Sequence, residues 1–303
     1  MKKKILIIGY GSIGRRHYKI LSNKHDVFVI TKQIIKKKNI YSSLKEVKNF
    51  KFEYIIISNE TYKHYKSLLE IKKFFKNTKI LIEKPIFNKI PRKKISNKKT
   101  FVGYNFRYHD QILFLKKYLK NKKIYKILIE CGYDLKKWRS RDYKKTYSAS
   151  KKKGGGVLLD LSHEIDYAYW IFGKLQIIKS SKKKISKLKI DTEDSVDIYC
   201  KTKKCADLKI HLNYINKVKK RKITVYGFNF QIIANLVDNT IKIKNKKKNK
   251  IIKFKKNCLE NSYIRMHTAI LKNNFVRLSD YKSGIYILKI IKIINKKFSY
   301  TKN

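Results

Sequence analysis

The chain has 303 residues, 43% of them hydrophobic, so disorder is not the default and there is enough material for two domains with sizeable cores. Lys and Arg number 77 against 21 Asp and Glu, a net charge of +56. That field attracts anionic ligands. The lysines are spread along the whole chain, however, and do not form the clustered patch that marks a specific nucleic-acid reader. Abundant Lys, Ile, Asn, Tyr and Phe beside only 2 Pro and 11 Gly read as a bias toward A/T-rich codons.

The start, MKKKILIIGYGSIG, has basic residues before apolar ones, as in a signal peptide. Its apolar run is short and breaks into glycines, so residues 3–8 are expected to be a buried first strand and the protein cytoplasmic. No apolar run is long enough to cross a bilayer. A helix is expected from Ile13 to Leu21. Strands follow at 26–31 and 54–58, a helix from Tyr62 to Phe75, and strands at 79–84 and 100–105. Continuous apolar strands alternating with helices predict an α/β domain with a doubly wound parallel sheet, over residues 1–120.

The pattern then changes. After a strand at 124–132 and a helix behind Gly154–Gly156, alternating runs such as SVDIYCKT, ADLKIHLNYI, KRKITVYG and NTIKIKNK occupy residues 175–254. Period-two alternation predicts an open, largely antiparallel sheet, hence a C-terminal α+β substrate domain over 121–303. Helices at 259–273 and 280–297 close the chain and are candidates to pack back on the first domain. Lysine runs such as KNKKKNK at 244–250 read as solvated hairpin turns. Cys131, Cys200, Cys205 and Cys258 form no C-x-x-C pair, which predicts free thiols and no metal.

Gly9, Gly11 and Gly14 stand in G-x-G-x-x-G register between a strand and a helix, the context that makes this motif a dinucleotide site. Gly9 permits the turn, Gly11 the approach of a pyrophosphate, Gly14 close helix–strand packing, and the helix start at Ser12 and Ile13 offers N–H groups to the anion. About 20 residues on, an acid is expected to hold the ribose of NAD. Thr31 and Lys32 stand there instead, so the cofactor is NAD(P) with a lean to NADP.

Further on come LIEKPIF, with Glu83, Lys84 and Pro85, then GYNFRYH at 103–109, then GGGVLLDLSHEIDYAYWIFG at 154–173. With GYGSIGRRHYKIL and ISNETYKHYKSLLE, these stretches in this order resemble the glucose–fructose oxidoreductase / inositol dehydrogenase / MocA (Gfo/Idh/MocA) family along nearly the whole chain. WRSRDYKKTYSASKKKGGG resembles a subgroup acting on sugars and nucleotide sugars of surface glycans, nonulosonic acids included.

The resemblance implies hydride transfer between a nicotinamide and a sugar carbon. It implies Lys84 and His163 as catalytic groups with Asp160 beside them, Glu83 near the cofactor, and a homo-oligomer formed through the C-terminal sheet. A histidine suits the proton transfer and a lysine the developing alkoxide. Asp160, His163 and Glu164, at i, i+3 and i+4, are expected on one helical face. Many members place one residue more between the Asp and the His, which puts Asp160's part in question.

Asn105, Arg107, Trp138, Arg139 and Tyr147 are candidates to line the sugar site. His17 is expected to pack, and His64 to lie near the cofactor or in solvent. Two other readings stand beside the sugar dehydrogenase: a glycosidase-like relative that uses NAD transiently, and a non-catalytic basic binding protein. A sugar substrate, no specific nucleic acid and no membrane are the expected partners.

Overall fold

A computed structural model of the chain describes residues 1–92, 95, 98–138, 142–246 and 249–297. Two compact units emerge, one of residues 1–105 with 263–288, the other of 106–262 with 289–303.

The first unit holds a parallel sheet of β1 (Lys4–Ile8), β2 (Asp26–Ile30), β3 (Ile40–Tyr41), β4 (Tyr54–Ile57), β5 (Lys79–Ile82) and β6 (Thr100–Val102), in the order β6-β5-β4-β1-β2-β3. A short antiparallel strand, Ser279–Asp280, pairs with β6 at the edge. Every residue of β4 and β5 is buried. Strands covered on both faces need no polar side, hence the unbroken apolar runs in the sequence. Helices α1 (Ser12–Ser22) and α2 (His64–Phe74) are crossovers of this sheet, and α1 buries Gly14, His17 and Leu21, at helical spacing on one side.

In the second unit, α3 (Asp110–Tyr118) leads into β7 (Ile124–Gly132). Next come two short helices, α4 (Val157–Asp160) and α5 (His163–Phe172), and then strands β8 (Gln176–Lys183), β9 (Ser195–Thr202), β10 (Cys205–Asn213), β11 (Lys220–Gly227), β12 (Phe230–Asn235), β13 (Thr240–Asn245) and β14 (Asn249–Lys253). The sheet order is β14-β13-β12-β11-β7-β10-β9-β8, antiparallel throughout except for the parallel pair β7–β10. In β10, Leu208, Ile210 and Leu212 are buried while Lys209 and His211 between them are half-exposed. This is the alternation of a sheet with one covered face.

The helix α3, placed with the first domain by the expected boundary near 120, belongs to the second unit. Gln111 Nε2 donates to the Asn235 and Thr240 carbonyls at 3.0 and 2.8 Å, and Lys116 Nζ to that of Trp170 at 2.5 Å. The closing helices α6 (Cys258–Leu271) and α7 (Tyr281–Lys297) give residues 263–288 to the first unit.

The expected continuous helix behind Gly156 is two helices: Leu161 (φ −99°, ψ 31°) and Ser162 separate α4 from α5, so Asp160 does not share a helical face with His163 and Glu164. Part of the 244–250 lysine run lies outside the described residues. Among the described residues no helix is long and apolar enough to cross a membrane, and no cluster of His, Cys, Asp and Glu could hold a metal. All four cysteines are buried, and among the described residues no disulfide joins them.

Candidate active site

The turn between β1 and α1 is built as the glycine spacing requires. Gly9 sits at φ +95°, in backbone space that side chains rarely adopt, and a Cβ there would stand 2.5 Å from the Asn59 nitrogen. A Cβ on Gly14 would collide with the Gly9 carbonyl oxygen. Gly11 differs: it has φ −73° and ψ −168°, and a Cβ would meet no atom within 4 Å. Among the described residues no side chain caps α1, so the amides of its first turn, from Ser12 and Ile13 onward, have no side-chain capping acceptor there. Open space at Gly11 in front of an uncapped helix start of an 11-residue helix fits a pyrophosphate. Thr31 follows β2 and accepts from the Gln33 amide through Oγ1 at 3.1 Å, while Lys32 is exposed beside it. No acid stands at this strand end.

The E-K-P segment leaves β5 of the same unit, with a cis peptide between Lys84 and Pro85. Lys84 is half-buried. Glu83 is only 5% exposed and its carboxylate is committed: Oε2 accepts from the Lys84 amide at 3.2 Å and Oε1 from His17 Nε2 at 3.0 Å. A Cβ on Gly103 would press on the same carboxylate. Glu83, expected at the cofactor, thus turns its side chain into the frame of the unit.

His64, expected near the cofactor or solvent, is 1% exposed, with Nδ1 on the carbonyls of Pro85 and Ile86 (3.2 and 3.1 Å) and Nε2 on that of Asn59 (3.0 Å). Burial pulls its pKa below the ordinary value, and the carbonyls oppose that pull. It clamps the E-K-P segment to the end of β4.

In the second unit, the segment that begins with three glycines explains its load of ionisable groups by partnering them. The guanidinium of Arg107 donates twice to Asp166, at 2.9 and 2.6 Å, and both side chains are buried. Glu164, fully buried, accepts from Arg221 Nε on β11 at 2.8 Å. Asp160, 1% exposed, accepts from the Tyr214 hydroxyl at 2.5 Å. Burial first, and the carboxylate second, push the Tyr214 pKa well up, so it remains a donor.

His163 begins α5 and its ring lies 4.8 Å from that of Phe106, over which the Arg221 guanidinium stacks at 4.5 Å. Gly156, at φ +108°, starts α4, where Glu193 accepts from the Leu158 amide at 3.1 Å; a Cβ on Gly156 would stand 2.6 Å from that carboxylate.

The expected sugar-lining residues divide. Arg107 is committed to Asp166, and Asn105, fully buried, begins the short 3-10 turn that contains Arg107. Trp138 is half-buried, stacked on Tyr133 at 5.4 Å and 5.8 Å from Tyr214. Tyr147 is half-buried in a short 3-10 turn. Trp138, Tyr214 and Asp160 thus form one cluster. Arg139 lies outside the described residues.

Tyr214, Arg221 and Glu193 escaped the sequence reading, since each is one polar residue in or beside a strand with its partner at least 35 residues away. His17 was expected to pack. Only its place eight residues past the first glycine hinted at more, and its true partner is the Glu83 carboxylate.

Known proteins share this architecture. A model of the GFO/IDH/MocA C-terminal domain matches residues 115–232. Glucose-6-phosphate 3-dehydrogenase of Bacillus subtilis is 27% identical over 259 residues, which cover 77% of this chain and 72% of that protein. Two solved structures share the fold at 14% identity, each covering 98% of this chain and 96% of the other. One is levoglucosan dehydrogenase in complex with NADH (TM-score 0.79), the other the WlbA dehydrogenase of Bordetella pertussis in complex with NADH and UDP-GlcNAcA (TM-score 0.76). Residues 115–232 thus resemble the Gfo/Idh/MocA C-terminal domain, and they follow a parallel-sheet unit that carries the G-x-G-x-x-G turn.

Proposed function

We propose that this chain is an NAD(P)-dependent dehydrogenase or reductase acting on a hydroxyl or keto carbon of a sugar or sugar derivative. His163 serves as the acid/base and Lys84 assists. The observation that carries the reading is the vacancy a Cβ on Gly11 would meet, in front of an α1 start with no side-chain cap. Gly9, Gly11 and Gly14 with the amides of Ser12 and Ile13 would hold the pyrophosphate. Thr31 and Lys32 would face the adenosine ribose, where a cation and the lack of an acid favour a 2′-phosphate, hence NADP.

A bound nicotinamide supplies the hydride chemistry; the side chains supply the rest. An imidazole takes or returns the hydroxyl proton near neutral pH, and an ammonium stabilises an oxygen as it becomes anionic. Asp160, fixed by Tyr214, adds a carboxylate three residues before that imidazole in the chain. Trp138 and Tyr147, both half-buried, offer ring faces to a sugar.

The +56 charge favours an anionic substrate such as a nucleotide sugar or a sugar acid. The resemblance of residues 138–156 to the surface-glycan subgroup supports the same class. A homo-oligomer through the C-terminal sheet belongs to this proposal. The sheet face that carries Glu130, Asp197, Tyr199 and His211 is at least partly exposed in a single chain.

The test is His163→Ala assayed against a panel of hexose phosphates, sugar acids and nucleotide sugars with NADH and NADPH. We expect turnover to drop by about 100-fold or more, the range for removing a general acid/base, with dinucleotide affinity retained. Full turnover in His163→Ala would overturn the assignment, and tighter binding of NADH than NADPH the cofactor preference.

A further inference from the structure

Four polar side chains buried in the first unit form an unbroken line. The Tyr54 hydroxyl on β4 meets His267 Nδ1 on α6 at 3.1 Å. His267 Nε2 meets His17 Nδ1 on α1 at 3.0 Å, and His17 Nε2 meets Glu83 Oε1 at 3.0 Å. The second Glu83 oxygen accepts from the Lys84 amide. Tyr54 and His17 are fully buried, and His267 and Glu83 are 2% and 5% exposed.

The proton positions follow from counting donors and acceptors. Among the described residues the Tyr54 hydroxyl has His267 Nδ1 as its one hydrogen-bond partner, so that is where its proton must point. His267 Nδ1 is then bare, and a neutral ring carries its proton on Nε2, donating to His17 Nδ1. His17 by the same rule carries its proton on Nε2 and donates to Glu83. All three links point one way, toward the carboxylate, and both rings are neutral. Burial agrees, since it pulls the His267 pKa well below its ordinary value. An imidazolium at His17 would turn an N–H against the N–H of His267, so the contact with Glu83 is a hydrogen bond between a neutral ring and a carboxylate.

The line joins two parts of the proposed machinery. His17 lies on α1, whose start fits the dinucleotide, and Glu83 holds the backbone of Lys84. We propose that Tyr54, His267 and His17 are positioning residues. They form a one-way donor chain that fixes the Glu83 carboxylate, and through it locks the Lys84 segment in register with α1. The proposal rests on the assignment of Lys84 to the reaction.

The full-length protein labelled with 15N at its imidazoles tests the polarity directly. The groups around the two rings are Glu83 and the Tyr263 ring, with Arg16 stacked on it, at His17, and Tyr54 and more distantly His25 at His267. At pH 7 both rings should be neutral with the proton on Nε2. An imidazolium or an Nδ1–H form at either ring overturns the chain. Tyr54→Phe, a mild change at the far end, should shift the Lys84 amide proton resonance; an unmoved resonance overturns the positioning role.

With a sugar that wild type turns over, Tyr54→Phe should lower kcat about 10- to 100-fold, the range for a slightly misplaced reacting group. The KM for the sugar and the affinity for dinucleotide should stay near wild type. A kcat equal to wild type counts against the proposal. Should wild type turn over no sugar at all, the functional reading fails, and the two resonance measurements still decide the chain.

Discussion

The two units bury polar groups by opposite means. The first threads neutral rings and a tyrosine into a line that ends on one carboxylate, Glu83. The second sinks whole ion pairs, Arg107 with Asp166 and Arg221 with Glu164. Both satisfy buried polar atoms, yet they fail differently. A buried ion pair is costly to halve, because the partner left behind stays charged in a place water does not reach. A neutral line is costly to protonate, because every donor already has its acceptor.

The largest effect should come from halving a pair. Arg107→Met leaves Asp166 without its two donated bonds and should cost about 3–5 kcal/mol in urea unfolding. Arg107→Met with Asp166→Leu should recover most of that loss. If the single variant unfolds like wild type, the ion-pair half of the contrast is wrong.

The next effect is acid sensitivity of the first unit. The folded pKa of His267 lies below its unfolded value near ~6.5, so below that pH the unfolded chain takes up a proton that the folded one refuses. The contribution is intact above pH ~6.5 and is lost as pH falls toward the folded pKa, at up to about 1.4 kcal/mol per pH unit. Amide exchange at Ile55 and Ile56 of β4, compared at pH 7.5, 6.5 and 5.5, reads this. Protection free energies that stay level over that range would remove the neutral-line half.

The smallest effect marks a site in the first unit that belongs to neither scheme. Gly11→Ala meets no atom and keeps an allowed backbone, so stability should hold or rise by at most about 1 kcal/mol while dinucleotide affinity falls. Thermal unfolding with NADPH titration on the same sample separates the two. Unchanged affinity would mean that the open space at Gly11 is not the phosphate site.

The fold was legible because each unit writes its burial into its period. Runs such as YIII and KILI mark strands covered on both sides, and CADLKIHLN marks a strand covered on one. The glycine turn between β1 and α1 was legible for the same reason, since its geometry is local. The break at Leu161 and Ser162 was not, because apolar spacing runs through it unchanged and both residues are buried like their neighbours. Nor was the commitment of Arg107, or the role of His17. The partner of Arg107 is 59 residues away, and those of His17 are 66 and 250. Periodicity reports which face is buried, not which distant side chain waits there.

One consequence concerns time. The first unit takes in residues 263–288, and His17 and Tyr54 both wait for His267. On a ribosome, the six parallel strands of the first unit are all made long before that partner exists. At roughly 5–20 residues per second, the stretch from Asn105 to His267 takes on the order of ten seconds or more to synthesise. During that interval the nascent sheet carries two polar groups, the Tyr54 hydroxyl and His17 Nδ1, still lacking the ring that joins them. The order of synthesis thus leaves the first unit, begun first, incomplete until residue 288 is made.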